Sequence, residues 1–332
     1  MINEELPGLG FVDSSWENDF IELKSGGNGR WKKGENGVKY ILTPRDRKVE
    51  FIIFSDKTLV YVKSAMGYPA IYPLNKTEYN SPAKYVLMDL DGTSVHSESF
   101  WMWIIEKTVS RLMNKPDFKL SEEDEPHVSG HSVSEHLQYC IDKYCPDKEI
   151  EQAREHYFEI TRKEMKKIKR GEGKTDAFQP APGLKEFLLT LKENDIKIGL
   201  VTSGLYEKAW PEILSAFRTM NMGDPLDFYD AFITAGHALR KGQAGTLGEL
   251  EPKPHPWLYA ETAKVGLGIK SEQRDRVIGI EDSAAGVLSI RMAGFTTVGI
   301  KGGNINQSGV GPLLDQKFDN LVDALPFILG SK

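Results

Sequence analysis

The stretch KYVLMDLD, residues 84–91, is an apolar run that ends abruptly in two carboxylates. A buried parallel strand has this pattern where it emerges from a sheet at its carboxyl end. Four more apolar runs follow, separated by segments of helical composition: IKIGLVTSG (196–204), FYDAFITAG (228–236), DRVIGIEDS (275–283) and FTTVGI (295–300). Strands that alternate with helices predict an α/β fold, with a parallel sheet covered on both faces.

Residues 98–178 interrupt this alternation after its first strand. They are rich in Glu, Lys and Arg and poor in β-branched runs, so they are predicted to be mostly helical. A helical block between the first and second strands of a sheet is predicted to form an inserted cap. The α/β core is therefore assigned to residues 83–97 and 179–332.

The segment before the first strand, residues 1–82, has a different composition. A polar, glycine-rich stretch at 25–37 is predicted to be loop. Three runs of β-branched and aromatic residues follow it: VKYIL (38–42), VEFIIF (49–54) and TLVYVK (58–63). The short turn sequence SDK joins the last two, which predicts a hairpin. We expect a small β-rich unit that packs on the core, mediates dimerisation or binds something else; the sequence leaves these roles open.

Composition argues against several classes of partner. The 332 residues carry a formal net charge of −6 without a dominant basic face, which argues against nucleic acid. The apolar runs are too short to cross a bilayer, and the start, MINEELPGLG, lacks the apolar stretch of a signal peptide. Cys140 and Cys145 have the wrong spacing for a CxxC or zinc motif, so they are predicted to be free thiols. We expect a cytoplasmic protein without nucleic-acid or membrane partners, and the oligomeric state stays open.

Four short segments fall at strand ends in the α/β part: DLDGT (89–93), VTSG (201–204), PKPHP (252–256) and GIEDS (279–283). Open α/β sheets bind ligands outside the carboxyl ends of their strands, so these segments are expected to converge on one site. Each segment alone has an ordinary structural explanation, since Asp and Ser also form turns and helix caps. Asp282 and Ser283, for example, could simply cap a helix that starts at Ala284.

Taken in order, the four segments resemble the motifs of the haloacid dehalogenase superfamily. PGLKEFLLTLKENDIKIGLVTSG (182–204) and GIEDSAAGVLSIRMAGFTTVGI (279–300) are similar to its β-phosphoglucomutase-like phosphatases over their whole length. The resemblance covers residues 84–332 and leaves residues 1–82 outside. It implies a Rossmann-like core with an inserted helical cap, and a Mg²⁺-dependent phosphatase that acts on a small phosphomonoester.

The resemblance also implies a role for individual residues. Asp89 is expected to attack phosphorus and form an aspartyl-phosphate, while Asp91 serves as acid and then as base. The implied Mg²⁺ ligands are the Asp89 side chain, the Asp91 backbone carbonyl and the Asp282 carboxylate, with Glu281 as a further ligand or as the partner of one. The implied phosphate-binding residues are Gly92, Thr202, Ser203, Gly204 and Lys253, of which Thr202 and Lys253 also count as catalytic.

The residues expected to select the substrate lie in the cap and in one long loop. The segment SGHSVSEHL (129–137) resembles the part of the family's cap that faces the active site, which makes His131 and Ser132 candidates. The loop at 236–254 is longer than is usual in the family. Arg240 in this loop could contact substrate, or the insertion could have no direct role.

The residue types at two positions distinguish a phosphatase from a sugar-phosphate mutase. In the β-phosphoglucomutases, a histidine in the linker after the first motif couples cap closure to acid/base activity, and an arginine in the cap grips the distal phosphate. These positions hold Trp101 and Val133 here, and neither side chain can do the original task. Trp101 is therefore a specificity candidate.

The sequence thus favours a phosphatase. The alternatives are a mutase of the β-phosphoglucomutase type, and a binding or regulatory protein with a vestigial hydrolase core. None of the four motifs lies in residues 1–82, so that segment is expected to be dispensable for the chemical step.

Overall fold

A computed structural model of the chain describes residues 2–63, 69–124, 133–174, 176–236 and 251–330. The chain divides into two compact units. The first comprises residues 1–94, 181–206 and 226–332, and the second comprises residues 95–180 and 207–225. Among the described residues, no helix combines the length and the apolar character that a bilayer-spanning segment requires.

Two antiparallel sheets precede the first core strand. The smaller pairs β1 (Glu4–Leu6) with β2 (Gly10–Val12). The larger has five strands in sequential order: β3 (Phe20–Glu22), β4 (Tyr40–Pro44), β5 (Val49–Ile53), β6 (Thr58–Val62) and β7 (Ala70–Leu74). The predicted β-rich segment is confirmed, with β5 and β6 as its hairpin. The edge strands β3 and β7 were missed, because FIE is very short and AIYPL contains a proline, which weakens a strand pattern.

A six-stranded parallel sheet forms the centre of the first unit, and a short antiparallel pair, β9 (Val95–His96) with β10 (Gln179–Pro180), belongs to the second. The parallel strands are β8 (Tyr85–Asp89), β11 (Lys197–Leu205), β12 (Ala231–Gly236), β13 (Val277–Glu281), β14 (Thr296–Ile300) and β15 (Gln316–Phe318). Their spatial order is β12–β11–β8–β13–β14–β15. The predicted Rossmann-like sheet is confirmed; the polar edge strand β15 was not predicted.

Ten α-helices are described, in chain order: α1 (Glu98–Met113), α2 (Val133–Tyr144), α3 (Ile150–Lys169), α4 (Leu184–Glu193), α5 (Tyr206–Thr219), α6 (Pro225–Phe228), α7 (Trp257–Glu261), α8 (Ala284–Ala293), α9 (Ile305–Ser308) and α10 (Leu325–Leu329). The second unit contains α1, α2, α3 and nearly all of α5. The predicted helical insertion after the first core strand is therefore confirmed.

The N-terminal sheet and the α/β core share one apolar interior within the first unit. Buried side chains from β4 to β7 cluster with buried side chains of α8 and of the segment after β14; the cluster includes Leu42, Phe51, Val60, Val62, Leu74, Val287, Leu288, Ile305 and Leu313. Arg291 of α8 donates a hydrogen bond to the backbone oxygen of Gly8 at 2.8 Å. Removal of residues 1–82 would thus expose an apolar face of α8 to water, at a cost that grows with the area exposed.

Candidate active site

The central feature of the site is a lysine held between two buried carboxylates. Asp89 is the last residue of β8, and Glu281 is the last residue of the neighbouring strand β13. Lys253 Nζ donates to Asp89 Oδ1 and to Glu281 Oε1, each at 2.5 Å. The side chains of all three residues are at most 8 % exposed. The carboxyl ends of two adjacent parallel strands therefore meet around one ammonium group.

The loop that carries Lys253 is constrained on both sides of the lysine. Pro252 and Pro254 flank it, and each proline ring fixes one backbone angle. The backbone N–H of Lys253 donates to Ser203 Oγ at 3.2 Å. The lysine is thereby tied to the end of β11, which lies on the other side of β8 from β13.

Glu281 has a donor for each of its carboxylate oxygens. Oε1 accepts from Lys253 and from the hydroxyl of Tyr259, the latter at 2.8 Å. Oε2 accepts from the hydroxyl of Ser283 at 2.9 Å and from its backbone N–H at 3.3 Å. Ser283 is also the N-cap of α8, because its hydroxyl accepts from the N–H of Gly286 at 3.1 Å. The capping explanation for Ser283 is therefore confirmed, and the same hydroxyl also contacts Glu281.

Asp282 completes a group of three buried carboxylates. One side-chain oxygen from each of Asp89, Glu281 and Asp282 lies within 4.8 Å of the other two. The hydroxyl of Thr93 donates to Asp282 Oδ1 at 3.4 Å. Gly92 has φ +84°, and a Cβ at this position would lie 2.1 Å from Asp282 Oδ2. A side chain at position 92 would thus displace Asp282, so the turn after Asp89 requires glycine.

The electrostatics of the site favour an additional positive charge. Burial raises the pKa of Asp89 well above its ordinary value, and the charge of Glu281 raises it further, while Lys253 opposes this shift. Burial alone would lower the pKa of Lys253, but the charges of Asp89 and Glu281 raise it overall. Asp282 adds a third buried carboxylate within 4.8 Å of those of Asp89 and Glu281, and Lys253 contacts two of the three. Oxygen ligands with excess negative charge are the donor set that suits a hard divalent cation.

The remaining motif residues are Thr202, Ser203 and Gly204 near the end of β11, and Asp91 two residues after Asp89. Thr202 is almost completely buried on β11, and its hydroxyl oxygen accepts from the N–H of Gly204 at 2.9 Å. The Gly204 amide is thus directed at Thr202 in this structure. The hydroxyl oxygen of Ser203 accepts a hydrogen bond from the backbone N–H of Lys253. Asp91 is half-buried, and its charge adds to those that raise the pKa of Asp89.

Comparison with known proteins identifies the family. A model of haloacid dehalogenase-like hydrolases matches residues 83–294, which is more than half of the chain. The chain belongs to the haloacid dehalogenase-like hydrolases. None of the curated proteins matches this hydrolase in sequence.

Three solved structures share the fold of this hydrolase at low sequence identity. A putative β-phosphoglucomutase from Thermotoga maritima is 17% identical with a TM-score of 0.53, over 74% of this chain and 100% of the other. A predicted phosphoglycolate phosphatase from Haemophilus somnus 129PT is 18% identical with a TM-score of 0.52, over 74% and 98%. A subfamily IA, variant 1 hydrolase from Geobacter sulfurreducens PCA is 17% identical with a TM-score of 0.51, over 76% and 99%. At this identity the likeness concerns the fold.

The specificity candidates have different outcomes. Trp101 lies on α1 in the second unit, half-buried, with its ring 5.0 Å from that of Phe100. Lys208 of the same unit places its Nζ 5.0 Å from the Trp101 ring centroid. His131, Ser132 and Arg240 lie outside the described residues. Their roles stay predictions.

Sequence reasoning missed Tyr259, whose fully buried hydroxyl contacts Glu281. Burial, reinforced by the charge of Glu281, raises the pKa of Tyr259 well above its ordinary value, so the hydroxyl stays a donor. The signal available in the sequence is its spacing, six residues after Lys253 on the short helix α7. That spacing brings the ring beneath the lysine, with Nζ 5.2 Å from the ring centroid.

Proposed function

We propose that this hydrolase is a Mg²⁺-dependent phosphatase that hydrolyses a small phosphorylated metabolite through an aspartyl-phosphate on Asp89. The observation that carries the proposal is the buried contact of Lys253 with both Asp89 and Glu281 at the ends of neighbouring strands. A carboxylate nucleophile and a phosphate dianion repel each other, so the reaction needs fixed positive charge beside the carboxylate. Lys253 supplies part of that charge.

In the first half of the proposed reaction, an Asp89 carboxylate oxygen forms a bond to phosphorus while the ester P–O bond breaks. Asp91, two residues further along the turn, gives a proton to the leaving oxygen. In the second half, Asp91 takes a proton from water, the water oxygen attacks phosphorus, and inorganic phosphate leaves Asp89. The half-buried position of Asp91 and its charge interaction with Asp89 support this pairing.

The proposed Mg²⁺ ligands are the carboxylates of Asp89 and Asp282 and the backbone carbonyl of Asp91. Mg²⁺ would neutralise charge on the phosphoryl group and on the attacking carboxylate. Glu281 is better suited to orienting its neighbours than to binding metal, since both of its oxygens already accept hydrogen bonds. The unequal balance of three carboxylates against one lysine supports the presence of a divalent cation.

Three groups are proposed to hold the transferring phosphoryl oxygens. The Thr202 hydroxyl can donate its hydrogen, because its oxygen is engaged as an acceptor from Gly204. The Ser203 backbone amide and the Lys253 ammonium are the second and third donors. Ser203 lies two residues beyond Val201, which pairs with Asp89, and the Lys253 ammonium contacts Asp89 directly. A preorganised set of donors lowers the barrier more than donors that must reorient in water.

The test is a hydrolysis screen with Mg²⁺ over a panel of phosphorylated metabolites and p-nitrophenyl phosphate, comparing the wild type with Asp89→Asn and Asp56→Asn. Asp56 is exposed in a turn of the N-terminal sheet, so its variant controls for the substitution itself. Asp89→Asn should lower kcat by at least about 10³-fold, because a nucleophile has been removed. Asp56→Asn should retain full activity. An Asp89→Asn variant with near-normal activity, or no hydrolysis of any phosphomonoester by the wild type, contradicts the proposal.

A further inference from the structure

Tyr72 of the N-terminal sheet contacts the loop that carries Lys253. Tyr72 lies on β7, and its hydroxyl oxygen is 2.7 Å from Nδ1 of His255. Trp257 Nε1 donates to the same hydroxyl oxygen at 3.1 Å. The Tyr72 ring also makes edge contacts with both partners, at centroid distances of 5.7 Å to His255 and 6.1 Å to Trp257. Residues 183 positions apart in the sequence thus form one aromatic group.

The Tyr72 oxygen accepts a hydrogen bond from Trp257, because an indole N–H can only donate. A phenol oxygen can accept a second hydrogen bond or donate its own hydrogen, so the tautomer of His255 sets the direction of the Tyr72–His255 bond. Either neutral tautomer keeps the contact. Burial supports the neutral form, because it lowers the pKa of His255 against the opposing charge of Glu251. Nε2 lies 3.8 Å from Glu251 Oε2.

His255 is also held through its backbone. Its carbonyl oxygen accepts from the hydroxyl of Ser289 on α8 at 2.6 Å, and its N–H donates to the Pro252 carbonyl at 3.1 Å. Only Pro254 separates His255 from Lys253. The prolines on both sides of the lysine leave few backbone angles free between His255 and Lys253. A displacement of His255 should therefore displace Lys253 as well.

We propose that Tyr72 is a positioning residue for Lys253: it fixes His255, and His255 fixes the loop that delivers the ammonium to Asp89 and Glu281. The N-terminal sheet is then a functional part of this hydrolase. The expectation from the sequence that residues 1–82 are dispensable for the chemical step stays a prediction, and this proposal is its alternative. The inference rests on the proposed function of Lys253 in phosphoryl transfer.

Deletion of the N-terminal segment cannot test this inference, because the sheet and α8 share an apolar core and the remainder would be destabilised. Tyr72→Phe in the full chain is the sharper variant, since it keeps the ring and removes the hydroxyl. Tyr61→Phe is its matched control. Tyr61 is half-buried on the neighbouring strand β6, and it faces the opposite side of the sheet because Tyr72 pairs with Val60.

The first measurement is steady-state hydrolysis of p-nitrophenyl phosphate with saturating Mg²⁺. Tyr72→Phe should lower kcat about tenfold with little change in KM, because a misplaced catalytic group slows the chemical step more than binding. Tyr61→Phe should match the wild type in both constants. A fall in kcat shared by the two variants, or one that follows a large fall in Tm, would mean general destabilisation and overturn the inference.

The second measurement does not depend on activity. Lys253 has a 6 % exposed side chain, whereas that of Lys57 is 58 % exposed. Acetylation with N-hydroxysuccinimidyl acetate, followed by peptide mass spectrometry, should modify Lys253 several-fold faster in Tyr72→Phe than in the wild type. Lys57 should be modified at equal rates in both. Equal protection of Lys253 in both proteins would overturn the inference, even if the wild type proves inactive on every phosphomonoester and the proposed function fails.

A double-variant cycle tests whether the effect passes through His255. His255→Leu removes the hydrogen-bond partner of Tyr72 at position 255, so adding Tyr72→Phe to it should cause no further loss of kcat or of Lys253 protection. Additive effects of the two substitutions would show that Tyr72 acts by another route and would overturn the mechanism. If His255→Leu does not fold, the comparison of Tyr72→Phe with Tyr61→Phe decides the inference.

Discussion

Tyr259 donates its hydroxyl hydrogen to Glu281 Oε1 at 2.8 Å, and both side chains are fully buried. The same oxygen accepts from Lys253 Nζ at 2.5 Å, so the tyrosine fixes the carboxylate that in turn holds the lysine. The lysine Nζ also lies 5.2 Å from the centroid of the Tyr259 ring, within the range of cation–π attraction. Tyr259 therefore supports Lys253 through its ring and through Glu281.

Tyr259→Phe keeps the ring and removes the donor. Glu281 then loses one of its two partners at Oε1, and the free energy of unfolding should fall by about 1–3 kcal/mol, as for other buried charged acceptors that lose a donor. We expect kcat to fall about tenfold, because Glu281 no longer has one fixed position for Lys253. Urea denaturation and steady-state hydrolysis measure the two effects.

Tyr79→Phe is the control for Tyr259→Phe. Tyr79 donates to the backbone oxygens of Phe327 at 3.0 Å and Ile328 at 3.1 Å, away from the site residues. Its variant should lose a comparable amount of stability and keep the wild-type kcat. If Tyr259→Phe keeps full activity, or if Tyr79→Phe loses as much activity, Tyr259 has no particular role in holding Lys253.

The contrast between Tyr259 and Asp89 shows what the sequence could predict. Asp89 ends an apolar run, and a polar residue at such a position marks the carboxyl end of a buried strand. Tyr259 lies within an ordinary apolar segment, where nothing in the local pattern distinguishes a packed ring from one whose hydroxyl contacts a carboxylate. Its function depends on the approach of Glu281, which is a tertiary property.

The N-terminal sheet also shows which features the sequence predicts and which it does not. Alternating and β-branched runs predicted β4, β5 and β6, but strand patterns do not identify the surface that a sheet covers. The pairing of Tyr72 with His255 joins residues 183 positions apart, and although His255 lies within the segment PKPHP, nothing in the sequence pairs it with Tyr72. The expectation that this segment is dispensable for the chemical step rests on the absence of motifs, and a tertiary contact such as that of Tyr72 with His255 is not visible as a motif.

The second prediction concerns metal binding. When a chelator has removed the metal, the negative charges of the buried carboxylates of Asp89, Glu281 and Asp282 are balanced only by Lys253. Their repulsion disfavours the folded state. Mg²⁺ at a hundredfold excess over its Kd should raise the free energy of unfolding by about 2.7 kcal/mol. Differential scanning calorimetry with and without Mg²⁺ measures this. Ca²⁺ should bind but inhibit hydrolysis, because it prefers more ligands at longer distances than Mg²⁺.

Asp282→Asn distinguishes a specific site from general salt effects. It removes a proposed ligand and also a like charge, so in chelator its Tm should equal or exceed that of the wild type, and its response to Mg²⁺ should be much smaller. Asp56→Asn should respond to Mg²⁺ as the wild type does, since Asp56 is exposed. An undiminished Mg²⁺ response in Asp282→Asn would exclude Asp282 from the metal site.

The third prediction concerns pH. Burial lowers the pKa of His255 in the folded chain, whereas the unfolded chain binds a proton there near the ordinary value of about 6.5. Below about pH 6.5 the unfolded state therefore binds more protons at this position, and stability falls as the pH falls. Above that pH the contribution of neutral His255 is fully present. Glu251, at 3.8 Å from Nε2, reduces the effect without reversing it.

Urea denaturation at pH 5.5 and 7.5, in the wild type and in His255→Asn, measures this contribution. The wild type should lose more stability on acidification than the variant, which has no titratable group at position 255. The raised pKa of Asp89 favours the folded state at low pH, but it does so in both proteins and cancels in the comparison. Equal losses in the two proteins would show that His255 is not held in its neutral form.

The last prediction is that the enzyme releases phosphate and does not isomerise sugar phosphates. A mutase must protect its aspartyl-phosphate from water until the sugar phosphate has turned over and rebound, which requires a firm grip on the distal phosphate. The resemblance of the sequence implies that Val133, the first residue of α2, takes the place of the mutases' arginine and that Trp101 on α1 takes the place of their histidine. Loss of a guanidinium–phosphate contact should cost on the order of 1.5–3 kcal/mol of that grip.

With a weaker grip, water should reach the phosphoenzyme first. Phosphorus NMR can follow β-glucose 1-phosphate in the presence of Mg²⁺ and a trace of glucose 1,6-bisphosphate. Inorganic phosphate should accumulate faster than glucose 6-phosphate, and Asp89→Asn should produce neither. Restoring the arginine with Val133→Arg, alone and with Trp101→His, should shift the product ratio toward glucose 6-phosphate. If the wild type already makes glucose 6-phosphate faster than inorganic phosphate, then the chain is a mutase, and its distal phosphate is held by residues other than these two.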